Sequence, residues 1–224
     1  SSQSQRILWL LEELGIEYSL INHERNSPTG PRPFLSPPSL VDAVPYGKAP
    51  TLVTGAKDGS RIIPESSAIA TYLIRTFDTE DKFGLRNGDW IRDEVICSML
   101  STNINRVSGI ALFLDFGAIK LAEGPVGDRF KGKALWGPLG DLEKELKGAP
   151  KGGYFMGEHP GRADILVEWQ LSFAKQRKWV DLESDFPLLH AWLERVYARD
   201  AWKRAMKKGN GYDLTIFPKI PERL

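Results

Sequence analysis

The stretch Gly47-Lys48-Ala49-Pro50-Thr51-Leu52, followed by Pro64-Glu65-Ser66-Ser67-Ala68-Ile69, decides the fold that this sequence predicts. The β-branched and apolar residues after Pro50 predict that a strand begins there. A proline that opens a strand after a small residue is typical of a cis X-Pro turn, which leaves the backbone amide of Ala49 free to pair with an extended ligand. A peptide-like ligand would then bind as an additional strand at the edge of the sheet.

The second half of this stretch predicts a helix N-terminus. Residues 61–63 are predicted to form a second short strand, and residues 68–73 have helical periodicity. Free N–H groups and the partial positive charge at a helix start bind a carboxylate, and Glu65 beside them accepts a hydrogen bond from an α-amino group. Together they predict recognition of an amino acid head group. The alternative is that Ser66 is an N-cap and Glu65 a first-turn acid, which satisfies the helix without any ligand.

Four segments, in this order and spacing, resemble the glutathione transferase superfamily over nearly the whole chain. Residues 1–15 resemble its first helix, particularly in a branch of fungal and bacterial serine-type transferases. Residues 45–50 resemble its cis-proline loop and residues 65–73 its γ-glutamyl site. Gly161-Arg162-Ala163-Asp164-Ile165 resembles the N-capping segment of a central helix in its second domain. The resemblance implies that glutathione is the ligand and co-substrate, held by Lys48, Ala49, Pro50, Glu65 and Ser66.

The predicted fold class is α/β followed by all-α. The first part, residues 1–77, is predicted to be a thioredoxin-like domain. Its elements are a helix over residues 3–14 that ends at Gly15, a strand over 18–22, an irregular Pro-rich segment over 26–45, two strands and a helix. The given sequence does not contain the opening strand of the family, which is the largest departure; the strand is either disordered or cleaved, or trimmed from this sequence. Residues 78–88 are the predicted linker, and residues 89–224 the helical glutathione transferase domain.

Within the second region, the apolar spacing predicts helices and no strand. A long helix begins at Trp90, and others cover residues 135–146, 163–175 and 188–197, with a tail from Lys208.

The N-terminal serines are the candidate catalytic residues. In this family the nucleophile is the thiol of glutathione, and a serine hydroxyl donates to its thiolate. Ser2 matches the serine of the fungal and bacterial branch, whereas Ser1 matches that of the zeta-like and tau-like patterns; Ser2 is slightly favoured. The alternative is that both are N-caps of the first helix. Ser4, inside that helix, is predicted to be structural.

Other candidate residues have more ordinary explanations. Lys48 is the candidate cation for the glycyl carboxylate of glutathione, with a solvated loop lysine as the alternative. Val44 stands where the related branch often carries His or Asn. Asp164 has the spacing of a capping acid relative to Gly161, which predicts a structural role. Cys97 lies on an apolar helix face and is predicted to be core.

An apolar wall for the electrophile is predicted between the serines and the long helix, around residues 103–116. Its candidate side chains are Ile110, Leu112, Phe113 and Phe116, with a core role as the alternative.

Composition excludes several function classes. The chain has 224 residues, a formal net charge of +1 and one cysteine, so no electrostatic case exists for nucleic acid, and no internal disulfide can form. No apolar run is long enough for a membrane span. The three histidines show no metal spacing, so no metal is predicted. Because the sequence begins at Ser1, a removed leader would be invisible.

Two functions are therefore predicted, the first being favoured. One is a glutathione S-transferase that attacks a hydrophobic electrophile, with reduction of a peroxide as a side activity. The other is a non-catalytic protein of this fold that binds glutathione or a protein partner in regulation, which the missing strand and Val44 support. The resemblance implies a cytoplasmic homodimer in which the 65–77 helix meets second-domain helices of the partner.

Overall fold

The computed structural model describes residues 3–24, 26, 35–209 and 211–215. Its N-terminal part places three helices beside a small sheet: α1 (Ser4–Leu14), α2 (Pro38–Ala43), β1 (Thr51–Val53), β2 (Ile62–Pro64) and α3 (Ser66–Phe77). The strands pair antiparallel, with Thr51 opposite Pro64 and Val53 opposite Ile62. The first helix stops at Gly15, as predicted, because this residue adopts the left-handed conformation at φ +65°.

Two predictions for this part are wrong. Residues 18–22 form no strand, because the only strands of the described chain are β1 and β2, and a strand needs a neighbour for its backbone groups. Residues 38–43, expected to be irregular, form α2. Pro38 stands in the first turn of α2, where the missing N–H of proline costs no hydrogen bond.

The rest of the described chain is helical. A π-helical turn over Leu100–Ile104 joins its first two helices. In order, the elements are α4 (Trp90–Met99), α5 (Asn105–Asp115), α6 (Pro125–Asp128), α7 (Gly132–Leu135), α8 (Leu139–Lys147), α9 (Arg162–Gln176), α10 (Leu182–Asp185), α11 (Pro187–Ala198) and α12 (Asp200–Lys208).

Most helix predictions for this region match these elements, with two differences. The helix expected over residues 135–146 is two helices, because Gly137 and Pro138 separate α7 from α8. Helix α12 was not predicted, although Ala201, Trp202 and Ala205 give it a buried face.

One hydrophobic core connects the two parts. Almost every side chain of α9 is buried, and α9 packs against α1, α3, α4, α5 and α11. The most extensive contact of α1 is with α12, where Trp9 and Trp202 meet edge to face at a centroid distance of 5.7 Å. The division at residues 77 and 89 stays a prediction. Among the described helices, none has the length and apolar character needed to cross a bilayer.

Candidate active site

The cis-proline loop leaves the sheet beside the start of α3. The Ala49–Pro50 peptide bond is cis, as predicted. Because Thr51 pairs with Pro64, the loop before Thr51 and the Glu65–Ser66 pair after Pro64 lie at the same end of the sheet. The two motifs that are separated in the sequence therefore meet in space.

Backbone groups in this loop face solvent. Ala49 is exposed, and its amide has no hydrogen-bond partner within the described residues. The carbonyl of Lys48 accepts a hydrogen bond from Thr51 Oγ1 at 2.7 Å, which holds the turn. The Lys48 side chain is exposed and makes no ion pair with the described chain, so its charge is available to an anion.

The start of α3 has an unusual backbone. Glu65 is exposed and adopts φ +65° and ψ 118°, a region that residues other than glycine rarely occupy. Such strained positions often occur at binding sites, where the surrounding structure fixes them. The carbonyl of Glu65 accepts from the Ile69 amide at 2.9 Å. The amides of residues 66–68 have no partner within the described residues, so they are available to a carboxylate.

Arg6, which the sequence analysis did not single out, joins this site to α1. Its side chain is only 4% exposed. Nη1 donates to the Leu166 carbonyl of α9 at 2.7 Å, while Nη2 donates to Gln3 Oε1 and to Ser66 Oγ. The N-terminal end of α1 is therefore held beside that of α3. The sequence signal was a basic residue directly before Ile7 and Leu8, both buried.

The charge of Arg6 is unusually isolated. No carboxylate of the described chain forms an ion pair with it, and its Nε has no hydrogen-bond partner. Burial lowers the pKa of Arg6 to about 10, and the negative charge of Glu168 opposes that shift. The guanidinium still carries its proton at neutral pH.

The two candidate catalytic serines, Ser1 and Ser2, lie outside the described residues. Gln3 stands at the N-cap position of α1, directly after them. The structure therefore describes the glutathione-binding candidates Lys48, Ala49, Pro50, Glu65 and Ser66 together, and it leaves the choice of serine as a prediction.

Asp164 is fully buried and accepts three hydrogen bonds. They come from the amides of Phe155 at 3.0 Å and Gly161 at 2.8 Å and from Trp192 Nε1 at 2.7 Å. Burial raises the pKa of Asp164 to about 6, against the effect of these donors. Its carboxylate has no access to a substrate, which agrees with the structural role predicted for it.

Cys97 is also buried, at 5% exposure, in agreement with the prediction of a core position. Burial raises the pKa of its thiol to about 12. A thiol of this kind stays protonated and unreactive at neutral pH. Within the part of the chain that the structure describes, no group of three or more His, Cys, Asp or Glu side chains is arranged to hold a metal ion.

None of the four side chains predicted for the electrophile wall belongs to the lining of the cavity that the structure shows beside α5. Phe113 is 52% exposed, and Ile110, Leu112 and Phe116 are half-buried. A cavity of about 370 Å³ instead lies on another face of α5, because the helical rotation between neighbouring residues turns that face elsewhere. Its apolar lining is Ala111, Leu114, Leu121, Phe130, Leu135, Trp136 and Trp179. The cavity and the predicted wall therefore lie on different faces of α5, and the position of the electrophile stays a prediction.

Comparison with known proteins identifies the family. Residues 1–76 match the model of the glutathione S-transferase N-terminal domain, and residues 134–200 match that of the glutathione S-transferase C-terminal domain. Together the two matches cover well over half of the chain. The chain belongs to the glutathione transferase superfamily. The predicted fold class, a thioredoxin-like part followed by a helical part, is thereby confirmed.

Individual relatives are distant but cover the full length. Glutathione S-transferase 1 of Saccharomyces cerevisiae is 25% identical over 223 residues, which is 92% of this chain and 91% of that protein. A glutathione S-transferase structure from Actinobacillus pleuropneumoniae is 26% identical, with a TM-score of 0.75 and coverage of 98% and 94%. A Phanerochaete chrysosporium transferase, Ure2p5, cocrystallised with 1-(S-glutathionyl)-2,4-dinitrobenzene, is 23% identical, with a TM-score of 0.66 and coverage of 92% and 89%. At that identity it shows the shared transferase fold.

Proposed function

We propose that this protein is a glutathione S-transferase that binds glutathione and activates its thiol for attack on a hydrophobic electrophile. The observation that carries the proposal is the convergence of the unpaired Ala49 amide, the exposed Glu65 and the start of α3 at one end of the sheet. In the proposed complex, Ala49 pairs with the cysteinyl backbone of glutathione. Glu65 accepts from its α-amino group, the start of α3 binds its α-carboxylate, and Lys48 binds its glycyl carboxylate.

The proposed chemistry needs a thiolate. A free thiol has a pKa near 8.5, and lowering it by about two units requires roughly 2.7 kcal/mol of preferential stabilisation of the anion. A serine hydroxyl that donates to sulfur contributes ~1.5–3 kcal/mol, and the N-terminal end of α1 adds ~0.3–1 kcal/mol. The thiol proton leaves to solvent. The thiolate then forms a C–S bond as the leaving group departs from the electrophile. With a hydroperoxide, the thiolate instead forms an S–O bond as the O–O bond breaks, and the alkoxide takes up a proton and leaves as an alcohol. A second glutathione thiol then converts the resulting glutathione sulfenic acid to glutathione disulfide and water.

Ser2 is our candidate for the hydroxyl donor, with Ser1 as the alternative. The experiment is to record the thiolate absorbance of bound glutathione against pH for the wild type, Ser1→Ala and Ser2→Ala. Ser4→Ala, at the first residue of α1, is the matched control. The wild type should show a lowered thiol pKa. The donor is the serine whose replacement returns this pKa to its solution value and abolishes activity on an aryl halide and a hydroperoxide.

A second candidate function is glutathione binding without turnover. Val44 supports it, because this apolar residue is 8% exposed and offers no polar side-chain contact where the related branch often has one. This function would be favoured over the enzyme if the wild type binds glutathione with an unshifted thiol pKa and turns over neither the aryl halide nor the hydroperoxide.

The proposal includes a cytoplasmic homodimer, as the resemblance implies. An exposed apolar surface supports the dimer: Phe77 at the end of α3 is 40% exposed, and Trp90, Ile91 and Val95 of α4 are 61, 59 and 46% exposed. We call these four residues the α3–α4 patch. Large apolar side chains exposed on successive turns of one helix, as in α4, are typical of an interaction surface. Light scattering should give a dimer mass for the wild type and a monomer for Val95→Glu, while Val126→Glu, at an exposed position outside the patch, stays dimeric.

A further inference from the structure

Arg6 has contacts that a merely space-filling core residue does not need. Its guanidinium reaches three elements at once: the start of α1 through Gln3, the start of α3 through Ser66, and the middle of α9 through the Leu166 carbonyl. Only 4% of Arg6 and 7% of Ser66 are exposed, so these bonds are shielded from water. A charged donor in such surroundings fixes its acceptors strongly.

The contact with Ser66 determines which way that hydroxyl can donate. A guanidinium has donors only, so Ser66 Oγ must be the acceptor in this pair. The hydroxyl hydrogen of Ser66 has no acceptor within the described residues. It is therefore available to an anion placed at the start of α3, beside the unpaired amides of residues 66–68.

Within the described residues no carboxylate forms an ion pair with Arg6, and Glu168 acts on its charge only from beyond ion-pair distance. Buried ionised groups are normally paired, because an isolated charge in a low-dielectric interior is costly. Contrast Arg162, another buried arginine, which donates to Asp93 and Glu94 at 2.7 and 2.6 Å. An anionic ligand at the start of α3 would supply a nearby negative charge, whereas the described chain gives Arg6 no ion pair.

We infer that Arg6 is a positioning residue for the α-carboxylate of glutathione, acting through Ser66, and that it aligns this subsite with the end of α1 that follows Ser1 and Ser2. The inference rests on the proposed function and specifies one part of it. Arg6 orients the Ser66 hydroxyl as a donor, and Gln3 holds the guanidinium in place. The same side chain fixes the start of α3 relative to the N-terminal end of α1.

The test compares two ligands. Glutathione carries the α-carboxylate, whereas 4-aminobutyryl-cysteinyl-glycine has the same amino group and backbone without it. Calorimetry gives the dissociation constants of both for the wild type, Arg6→Met and Arg6→Lys. The lysine variant keeps the charge, but a single ammonium cannot reach all three partners of the guanidinium fork. Arg162→Lys is the matched control, because its partners are protein groups only.

We expect the wild type to prefer glutathione. In Arg6→Met the preference should fall at least about tenfold, the size expected for one charge-assisted hydrogen bond, and in Arg6→Lys it should fall partly. Affinity for the shortened ligand should stay within about twofold in both variants, and Arg162→Lys should keep the wild-type preference.

An unchanged preference in folded Arg6→Met would overturn the inference while leaving the proposed function intact. A wild type that binds neither ligand would refute the proposed function itself, and the inference with it. If the Arg6 variants do not fold, Gln3→Leu supplies the test, since Gln3 is half-buried at the helix start and its loss only releases the guanidinium. There a fall of roughly threefold in preference is expected, and no fall counts against Arg6.

Discussion

At the scale of single residues, Asp164 shows how a carboxylate can be conspicuous in the sequence and still take no part in chemistry. Its two oxygens are occupied by three buried donors, and one of them, Trp192 Nε1, would have no partner without it. The residue therefore stabilises the start of α9 and its contact with α11.

Replacing Asp164 by Ala should lower the free energy of unfolding by ~2–4 kcal/mol, because it removes a cap and leaves buried donors unpaired. Asp164→Asn should lose less, since its remaining oxygen still accepts from Trp192. Urea denaturation measures both changes. The folded Asn variant should keep the wild-type kcat for conjugation. A collapse of kcat with an intact fold would instead make Asp164 catalytic.

The difference between Asp164 and Arg6 shows what residue patterns can predict. A capping acid has a local signature, since it stands three positions after the start of its helix. Arg6 acts through contacts with Ser66 and Leu166, which are 60 and 160 positions away in the sequence. Only the packing of α1 against α3 and α9 brings these groups together. Candidate residues in the two local motifs were accessible to sequence analysis, and the arginine behind them was not.

At the scale of elements, α9 carries a second buried carboxyl group. Glu168 accepts from Ser172 Oγ on the same helix and from the Tyr212 hydroxyl of the C-terminal segment at 3.0 Å, while the hydroxyl of Tyr197 on α11 contacts Ser172 at 2.6 Å. Burial raises the pKa of Glu168 to about 7, against the opposing effects of these hydroxyls and of Arg6 on α1.

This shift predicts a pH-dependent stability. The native state keeps the Glu168 proton up to about pH 7, whereas the unfolded chain releases it near the ordinary pKa of 4.5. Over that interval the native state binds more protons, so stability should fall as pH rises, by up to ~3 kcal/mol. Glu168→Gln should flatten this slope in urea denaturation between pH 5 and 8. Glu158→Gln, at an exposed position, is the control.

A residual slope in Glu168→Gln below pH 6 belongs to Asp164, whose raised pKa acts in the same direction. A wild-type stability that increases from pH 5 to 8 would contradict the assignment of Glu168 as a proton-holding group.

Element predictions succeeded where the pattern is local and failed where pairing is needed. Helices α1, α3 and α9 follow their apolar periodicity, and Gly15 ends α1 through its own backbone freedom. Residues 18–22 are predicted to form a strand, but a strand exists only when a neighbour pairs with its backbone groups. Prolines also act by position: Pro38 begins α2, whereas Pro138 separates α7 from α8.

At the scale of the whole molecule, α1 makes stabilising contacts with both parts of the chain. Arg199, at the start of α12, donates through Nε and Nη2 to the two carboxylate oxygens of Glu13 on α1. Glu13 is only 11% exposed in its side chain and also accepts from Trp9 Nε1 at 2.7 Å. Glu12 accepts in the same way from Arg204 and Lys208 of α12.

Arg199→Ala should therefore lower the free energy of unfolding by ~1–3 kcal/mol, since it leaves the shielded Glu13 carboxylate without its cation. Lys203→Ala is the control, because its pair with Asp200 is exposed and should change stability by less than about 0.5 kcal/mol. Calorimetry should show one transition in every variant. Two separated transitions would mean that the shared core does not couple the two parts.

The α3–α4 patch gives the molecule an optical property. Of the seven tryptophans, Trp90 is the strongly exposed one at 61%, while the other six are buried or half-buried. In a free subunit the Trp90 indole is solvated and fluoresces at long wavelength. In the proposed homodimer, a second subunit packed against the patch would place this indole in an apolar environment. Association would then shift its emission to the blue and shield it from an aqueous quencher. For the proposed homodimer, Trp90 is thus a built-in fluorescent reporter of assembly, and a simple dilution series tests it without any label.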